Sequence, residues 1–169
     1  ELLDSLRLGT LSLQTLIDNL LEGASIEAGR FRVHPRPAEL SEVVQETQRT
    51  MQPLLEKYRQ SLEIDFPPGD LPPVRIDPRR TAQVLVNLLS NAIKYTERGH
   101  AGLVVRYRNQ VAELEVSDSG IGIPEEDLDR VFEPFERGSA PTIRTIPGTG
   151  LGLTITKLLT QIMGGEISA

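Results

Sequence analysis

At about 150 residues per domain, a chain of 169 residues predicts one domain with room for an appended piece. Its 18 basic and 24 acidic residues give a net charge of −6, the wrong field for a general nucleic-acid binder. Cysteine is absent, which excludes a disulfide framework, a thiolate zinc site and a cysteine nucleophile, and no apolar run approaches the ~18 residues of a membrane span.

Leu13, Leu16, Ile17, Leu20 and Leu21 form an i, i+3, i+4, i+7, i+8 stripe that predicts a helix from Leu2 to Ile26, stopped at Gly29. So apolar a helix needs another against it, either within its own domain or as half of a helical hairpin or dimer bundle. The Pro-broken stretch 31–37 reads as a linker. A helix is expected from about Ala38 to Gln60, kinked or broken at Pro53. Leu62–Phe66 alternates as a strand, and Val74–Ile76 is a short second one. Asp77-Pro78 is a helix start, and that helix extends to about Tyr95. Leu103–Arg108 and Val111–Val116 pair as a hairpin around Asn109-Gln110. Pro124–Val131 reads as a short helix and Gly138–Gly148 as a mobile polar loop. Leu151–Met163 is the last helix, and Gly164-Gly165-Glu166-Ile167 opens a strand that the chain does not finish. This order of helices and strands is α+β, a mixed sheet with helices on one face.

Three segments carry chemistry. On the helix before Tyr95, Leu85, Leu88, Leu89 and Ala92 cluster on one side, while Asn87, Asn91 and Lys94 stack on the nearly opposite side. Two amides and an ammonium in a row suit a hard cation and a phosphate, or they form a solvated face. Asp118-Ser119-Gly120-Ile121-Gly122-Ile123-Pro124 follows a strand. Its glycines let backbone approach a flat ligand and Asp118 can accept from an amino group such as that of adenine, or the segment is a tight turn capped by Asp118. Gly148-Thr149-Gly150-Leu151-Gly152 opens the last helix and exposes N–H donors at the positive end of its dipole, as a di- or triphosphate needs, or it is a flexible loop entering a helix. The spacing is neither the dinucleotide fingerprint nor a Walker A loop.

Asn87-x-x-x-Asn91, Asp118-x-Gly120-x-Gly122, Phe132-Glu133-Pro134-Phe135 and Gly148-x-Gly150-x-Gly152, in that order, resemble the N, G1, F and G2 boxes of the sensor histidine kinases. The resemblance covers nearly everything from Ala38 onward. It implies a Bergerat-type ATP-binding domain at residues 38–169, a two-layer α/β sandwich closed by a movable lid. Asn91 would ligate Mg²⁺, with Asn87 assisting or touching phosphate. Lys94 and Arg137 would meet phosphate, Tyr95 would lie by the adenine, Asp118 would bind its amine, and Ile123 would belong to the same nucleotide-binding set. Gly120 and Gly122 would line the base. Gly148, Thr149, Gly150, Leu151 and Gly152 would hold the phosphates, and residues 133–149 would form the lid, hinged on the core by Phe132 and Phe135. Residues 1–30 look like the second helix of the family's dimerisation and phosphotransfer hairpin. The preceding helix, which carries the phosphoacceptor histidine, is missing, so the chain reads as a fragment that would not autophosphorylate alone. His34 precedes a proline and His100 sits in a turn, and neither is the acceptor.

The resemblance further implies phosphotransfer from Mg-ATP to histidine and relay to a response-regulator receiver domain. It implies a homodimer of the full-length protein, no nucleic-acid partner, and a cytoplasmic domain in a family commonly anchored in the inner membrane. ATP-hydrolysing relatives of this fold place a Glu general base where Asn87 stands, and a neutral amide cannot activate water. Two other readings remain: a serine-directed kinase of the same fold, of the anti-sigma type, and a non-catalytic module that dimerises through its first helix.

Overall fold

The computed structural model describes residues 2–138 and 148–169, with side chains in the first helix from Leu13 onward apart from Thr15 and Leu16. In chain order the elements are α1 (Leu2–Glu27), β1 (Arg36–Ala38), α2 (Leu40–Tyr58), β2 (Ser61–Asp65), β3 (Val74–Ile76), α3 (Pro78–Lys94), β4 (His100–Arg108), β5 (Val111–Asp118), one 3-10 turn (Glu125–Asp127) and α4 (Gly152–Ile162).

Strands β2, β4 and β5 form a mixed sheet in that order, with β2 parallel and β5 antiparallel to β4. The hairpin closes through Asn109 and Gln110, both at positive φ (51° and 65°), which matches the right-handed twist of the paired strands. Register sorts the sheet into two faces. Leu62, Ile64, Ala101, Leu103, Val105, Leu114 and Val116 share the side packed on α2 and α3, while Glu63, Asp65, Arg106, Glu113 and Glu115 share the other. On that outer face Arg106 pairs with both Glu113 and Glu115. One covered face and one polar face are what the α+β reading expects.

The helices meet the sheet through Leu40, Val43, Val44, Met51 and Leu55 of α2 and Leu85, Leu89, Ala92 and Ile93 of α3, all buried. A second side of α3 packs on α4 through Val84, Leu88, Ile155 and Leu159, and Ile26 and Phe31 close this cluster from the end of α1. Helix α3 therefore lies between two layers of apolar side chains.

Four expectations are corrected. Helix α2 runs through Pro53 without a break, because Met51 and Leu55 on either side of it are anchored in the core while Pro53 itself is exposed. Part of the 31–37 linker is strand: Arg36–Ala38 pairs antiparallel with β3. The helix expected over Pro124–Val131 is a single 3-10 turn, since Glu125-Glu126-Asp127 has no buried residue to hold a longer one. No strand forms at Gly164–Ile167. Instead the N–H groups of Gly164 and Gly165 bond to the carbonyls of Gln161 and Thr160 and end α4. Residues 139–147 of the expected mobile loop lie outside the described residues.

Candidate functional site

The site is assembled around α3, and α3 is set by the residue that caps its start. Asp77 accepts the Arg80 N–H through Oδ1 at 3.2 Å and the His34 N–H through Oδ2 at 2.8 Å. Burial pushes the Asp77 carboxyl up, but the bonds from His34 and Arg80 and the Arg80 charge outweigh it and hold the group below its ordinary value. Seventeen residues later the helix ends at Lys94, with the Tyr95 N–H bonded to the Asn91 carbonyl.

The row Asn87, Asn91, Lys94 is half-buried, so it is not a solvated face. Helix α4 lies beside it, and Asn87 Nδ2 donates to Thr156 Oγ1 at 3.4 Å. Burial lowers the Lys94 pKa, and the nearby Lys57 charge lowers it further. Among the described residues no cluster of three His, Asp or Glu could hold a metal. A divalent cation here would draw on amide oxygens of Asn87 and Asn91 together with oxygens of a phosphate ligand, a donor set that suits a hard cation such as Mg²⁺.

Strand parity brings Asp118 to the same place. Val116 and Asp118 lie on the helix-covered side of β5, with Asp118 opposite Ala101 at the end nearest the C-terminus of α3. Asp118 Oδ1 accepts from the Gly120 N–H at 2.8 Å and from Thr96 Oγ1 at 3.4 Å. The capped tight turn therefore exists and occupies one oxygen. The residue stays exposed, and no described group engages Oδ2. A β-carbon on Gly120 would stand 2.7 Å from Thr96 Oγ1 and 2.8 Å from Asp118 Oδ1, so only glycine lets this turn lie against α3.

Tyr95 joins the two glycine segments. Its carbonyl accepts from the Ile121 N–H at 3.3 Å, and its hydroxyl lies 3.9 Å from where a Gly148 β-carbon would be. Gly122, at φ +69°, and Ile123 are exposed next to this junction. Gly150, at φ +72°, accepts from the Phe135 N–H at 3.0 Å, and a β-carbon there would stand 2.9 Å from the Phe135 backbone. Leu151 is buried, its N–H meeting Thr149 Oγ1 at 3.4 Å, and α4 begins at Gly152.

The anchoring of Phe132 and Phe135 differs from expectation. Phe132 lies under the Lys157 ammonium, 5.6 Å from ring centre to Nζ, but the Phe135 ring is 62% exposed. It is the backbone of Phe135, at φ 61°, that holds the core through Gly150. Arg137 is half-buried at the edge of the described residues, and 139–147, the rest of the expected lid, lie outside them. Sequence reasoning missed Thr96 and Thr156, both buried and each bonded to a site side chain. For Thr156 the one available signal is a threonine within an apolar helical stripe, which does not name the partner, and Thr96, just past the end of α3, carries none.

A family model described as histidine kinase-, DNA gyrase B- and HSP90-like ATPase matches residues 76–169. The circadian input-output histidine kinase CikA of Synechococcus elongatus is 39% identical over 154 residues, covering 90% of this chain and 20% of the relative. The chain thus spans about a fifth of the length of the curated relatives it matches. Among solved structures, the histidine kinase AdeS of Acinetobacter baumannii superposes with a TM-score of 0.81 at 26% identity, over 98% of this chain and 75% of that one. Full-length ShkA in complex with AMPPNP superposes at 0.76 and 26% identity, over 92% of this chain and 33% of that one.

Proposed function

Because the chain belongs to the histidine kinase-, DNA gyrase B- and HSP90-like ATPase family, with sensor histidine kinases as its relatives, we propose that it binds Mg-ATP and donates the γ-phosphoryl group to a histidine of a dimerisation helix, for relay to an aspartate of a response-regulator receiver domain. The observation that carries this reading is the convergence at Tyr95: the Asn87–Lys94 row, the Asp118–Ile123 turn and the entry to α4 all meet there.

In this reading Asp118 Oδ2 accepts the adenine amine, Gly120 and Gly122 let backbone lie flat against the base, and Tyr95 and Ile123 flank it. Gly148, Thr149, Gly150, Leu151 and Gly152 present backbone N–H donors where the dipole of α4 is positive. Lys94 and Arg137 bring charge to the phosphates. Asn91 and Asn87 hold Mg²⁺, which when bound neutralises charge on the phosphate oxygens. An imidazole nitrogen of the acceptor helix forms the N–P bond while the P–O bond to the departing ADP breaks. Asn87, a neutral amide, cannot take a proton from water, so hydrolysis is slow and transfer to histidine is the productive outcome.

Helix α1 supplies the dimerisation surface of the whole protein. Leu13, Ile17, Leu20 and Leu21 are exposed and share one stripe, as a second copy of this helix would need. We place the domain in the cytoplasm, on the inner side of the membrane if the whole protein is anchored there. Among the described residues no helix is long and apolar enough to cross a membrane.

The test is calorimetric titration of the chain with ATP, with and without Mg²⁺. Wild type is expected to bind ATP and to bind it more tightly with Mg²⁺, Asp118→Asn to lose preference for ATP over GTP, and Asn91→Ala to lose the Mg²⁺ gain. No heat at millimolar ATP would favour the inert interaction module instead.

A further inference from the structure

Thr156 is fully buried in α4, one turn after Gly152, and its hydroxyl donates to the Gly152 carbonyl at 2.9 Å. A threonine hydroxyl has one hydrogen, so with that hydrogen committed its oxygen can only accept. The group it faces is the Asn87 amide, 3.4 Å away. An amide has two ends of nearly equal shape, and in water either can point either way. Here only the NH₂ end suits Thr156, because a reversed amide would set two acceptors against each other. The carbonyl oxygen is thereby turned away from α4.

We propose that Thr156 is a positioning residue that fixes the Asn87 amide with its oxygen available to the cation and its nitrogen held by α4. This rests on the reading of Asn87 given above, since the orientation of the amide matters to binding only where its free oxygen meets a cation. The bond from its hydroxyl to the Gly152 carbonyl is made within α4 and serves to leave the oxygen free to accept from Asn87. Such outer partners of a ligating group orient it before the ion arrives.

Thr160 is the internal control. It makes the same bond one turn on, its hydroxyl to the Thr156 carbonyl at 2.8 Å, and has no bond to Asn87. The measured quantity is the gain in ATP affinity on adding Mg²⁺. Thr156→Val is expected to cut that gain about tenfold, with ATP affinity in the absence of Mg²⁺ unchanged. Thr156→Ser, which keeps the hydroxyl, restores the gain, and Thr160→Val leaves it at the wild-type level. A merely structural role would lower the melting temperature and leave the gain intact.

If Thr156→Val keeps the full gain while Asn87→Ala loses it, the proposal is overturned. If Asn87→Ala also keeps it, the reading of Asn87 itself has failed and takes the proposal with it. Exchange of the Asn87 side-chain NH₂ protons in the wild-type chain needs no variant and covers the case in which Val at 156 prevents folding. Protection relative to the exposed Asn109 is expected, and exchange as fast as that of Asn109 overturns the assignment.

Discussion

Asp77 uses its two carboxylate oxygens for two different tasks, capping α3 through Arg80 and fastening the preceding segment through His34. Burial acts the other way, but both bonds are stronger to the ionised form, and with the Arg80 charge they hold the Asp77 pKa below its ordinary 3.8. A lowered carboxyl pKa stabilises the fold above the unfolded value and loses that contribution as pH falls through the folded one. Asp77→Ala is therefore expected to cost about 1–2 kcal/mol in urea unfolding at neutral pH, with the difference from wild type shrinking as pH falls below 3.8. The Lys94 pKa is also lowered, so its slope with pH has the same sign, but here the fold disfavours the charged form. Burial and Lys57 lower its pKa, so between that lowered value and the ordinary 10.5 the unfolded chain holds the extra proton and stability rises with pH. A bound phosphate needs the charged form. ATP affinity is expected to fall as pH rises through the lowered Lys94 pKa, and Lys94→Arg, which stays charged, is expected to flatten that dependence in the same titrations. The cap at Asp77 was readable from Asp-Pro alone, whereas the lowered Lys94 pKa was not, because its causes come from the burial of the helix end and a residue 37 positions earlier.

Among the elements, α3, the hairpin and the sheet strands follow their sequence signals to within a few residues, because period, caps and turn residues all act over short range. The entry to α4 is fixed differently. Gly150 adopts a positive φ and its carbonyl receives the Phe135 N–H, a contact between segments 15 residues apart. Gly150→Ala would add strain of about 1–3 kcal/mol and drive a methyl group into the Phe135 backbone. It is expected to lower the melting temperature and to weaken ATP binding with and without Mg²⁺ alike, unlike a change at Thr156. Two of the four corrected elements share one physical reason. Pro53 and Gly164–Ile167 were judged by local propensity, and in both places the neighbours decided: core anchorage of Met51 and Leu55 carried α2 through its proline, and the twin glycines closed α4 before any strand could open.

At the scale of the molecule, α1 is joined to the α+β layers at one end. Glu22 pairs with Arg80 and accepts from Gln83 Nε2 at 2.7 Å, while the Arg80 guanidinium lies 4.5 Å from the centre of the Phe31 ring. Arg80 is thus the hub of the contact, and most of the ion pair is out of water. Arg80→Ala is expected to cost about 2 kcal/mol and to loosen α1, read as faster amide exchange at Ser25–Gly29, where the chain leaves α1, while ATP binding is retained. Further along α1 the stripe Leu13, Ile17, Leu20, Leu21 stays exposed. Light scattering of the chain is expected to show concentration-dependent dimers that Leu20→Glu abolishes, since a carboxylate buried at a helix seam is unpaired.

Sequence by itself determined the periodic elements, their caps, the hairpin turn and the identities of the motif residues, because each depends on neighbours a few positions away. Tertiary structure decided which of these meet. It set Asn87 against Thr156, Asp118 beside Thr96, Tyr95 between two glycine turns and Phe135 on Gly150 by backbone, contacts that span 15 to 69 positions of chain. Such contacts arise from the packing of α3 between the sheet and α4, and no spacing along the chain encodes which hydroxyl or carbonyl will stand opposite a given side chain.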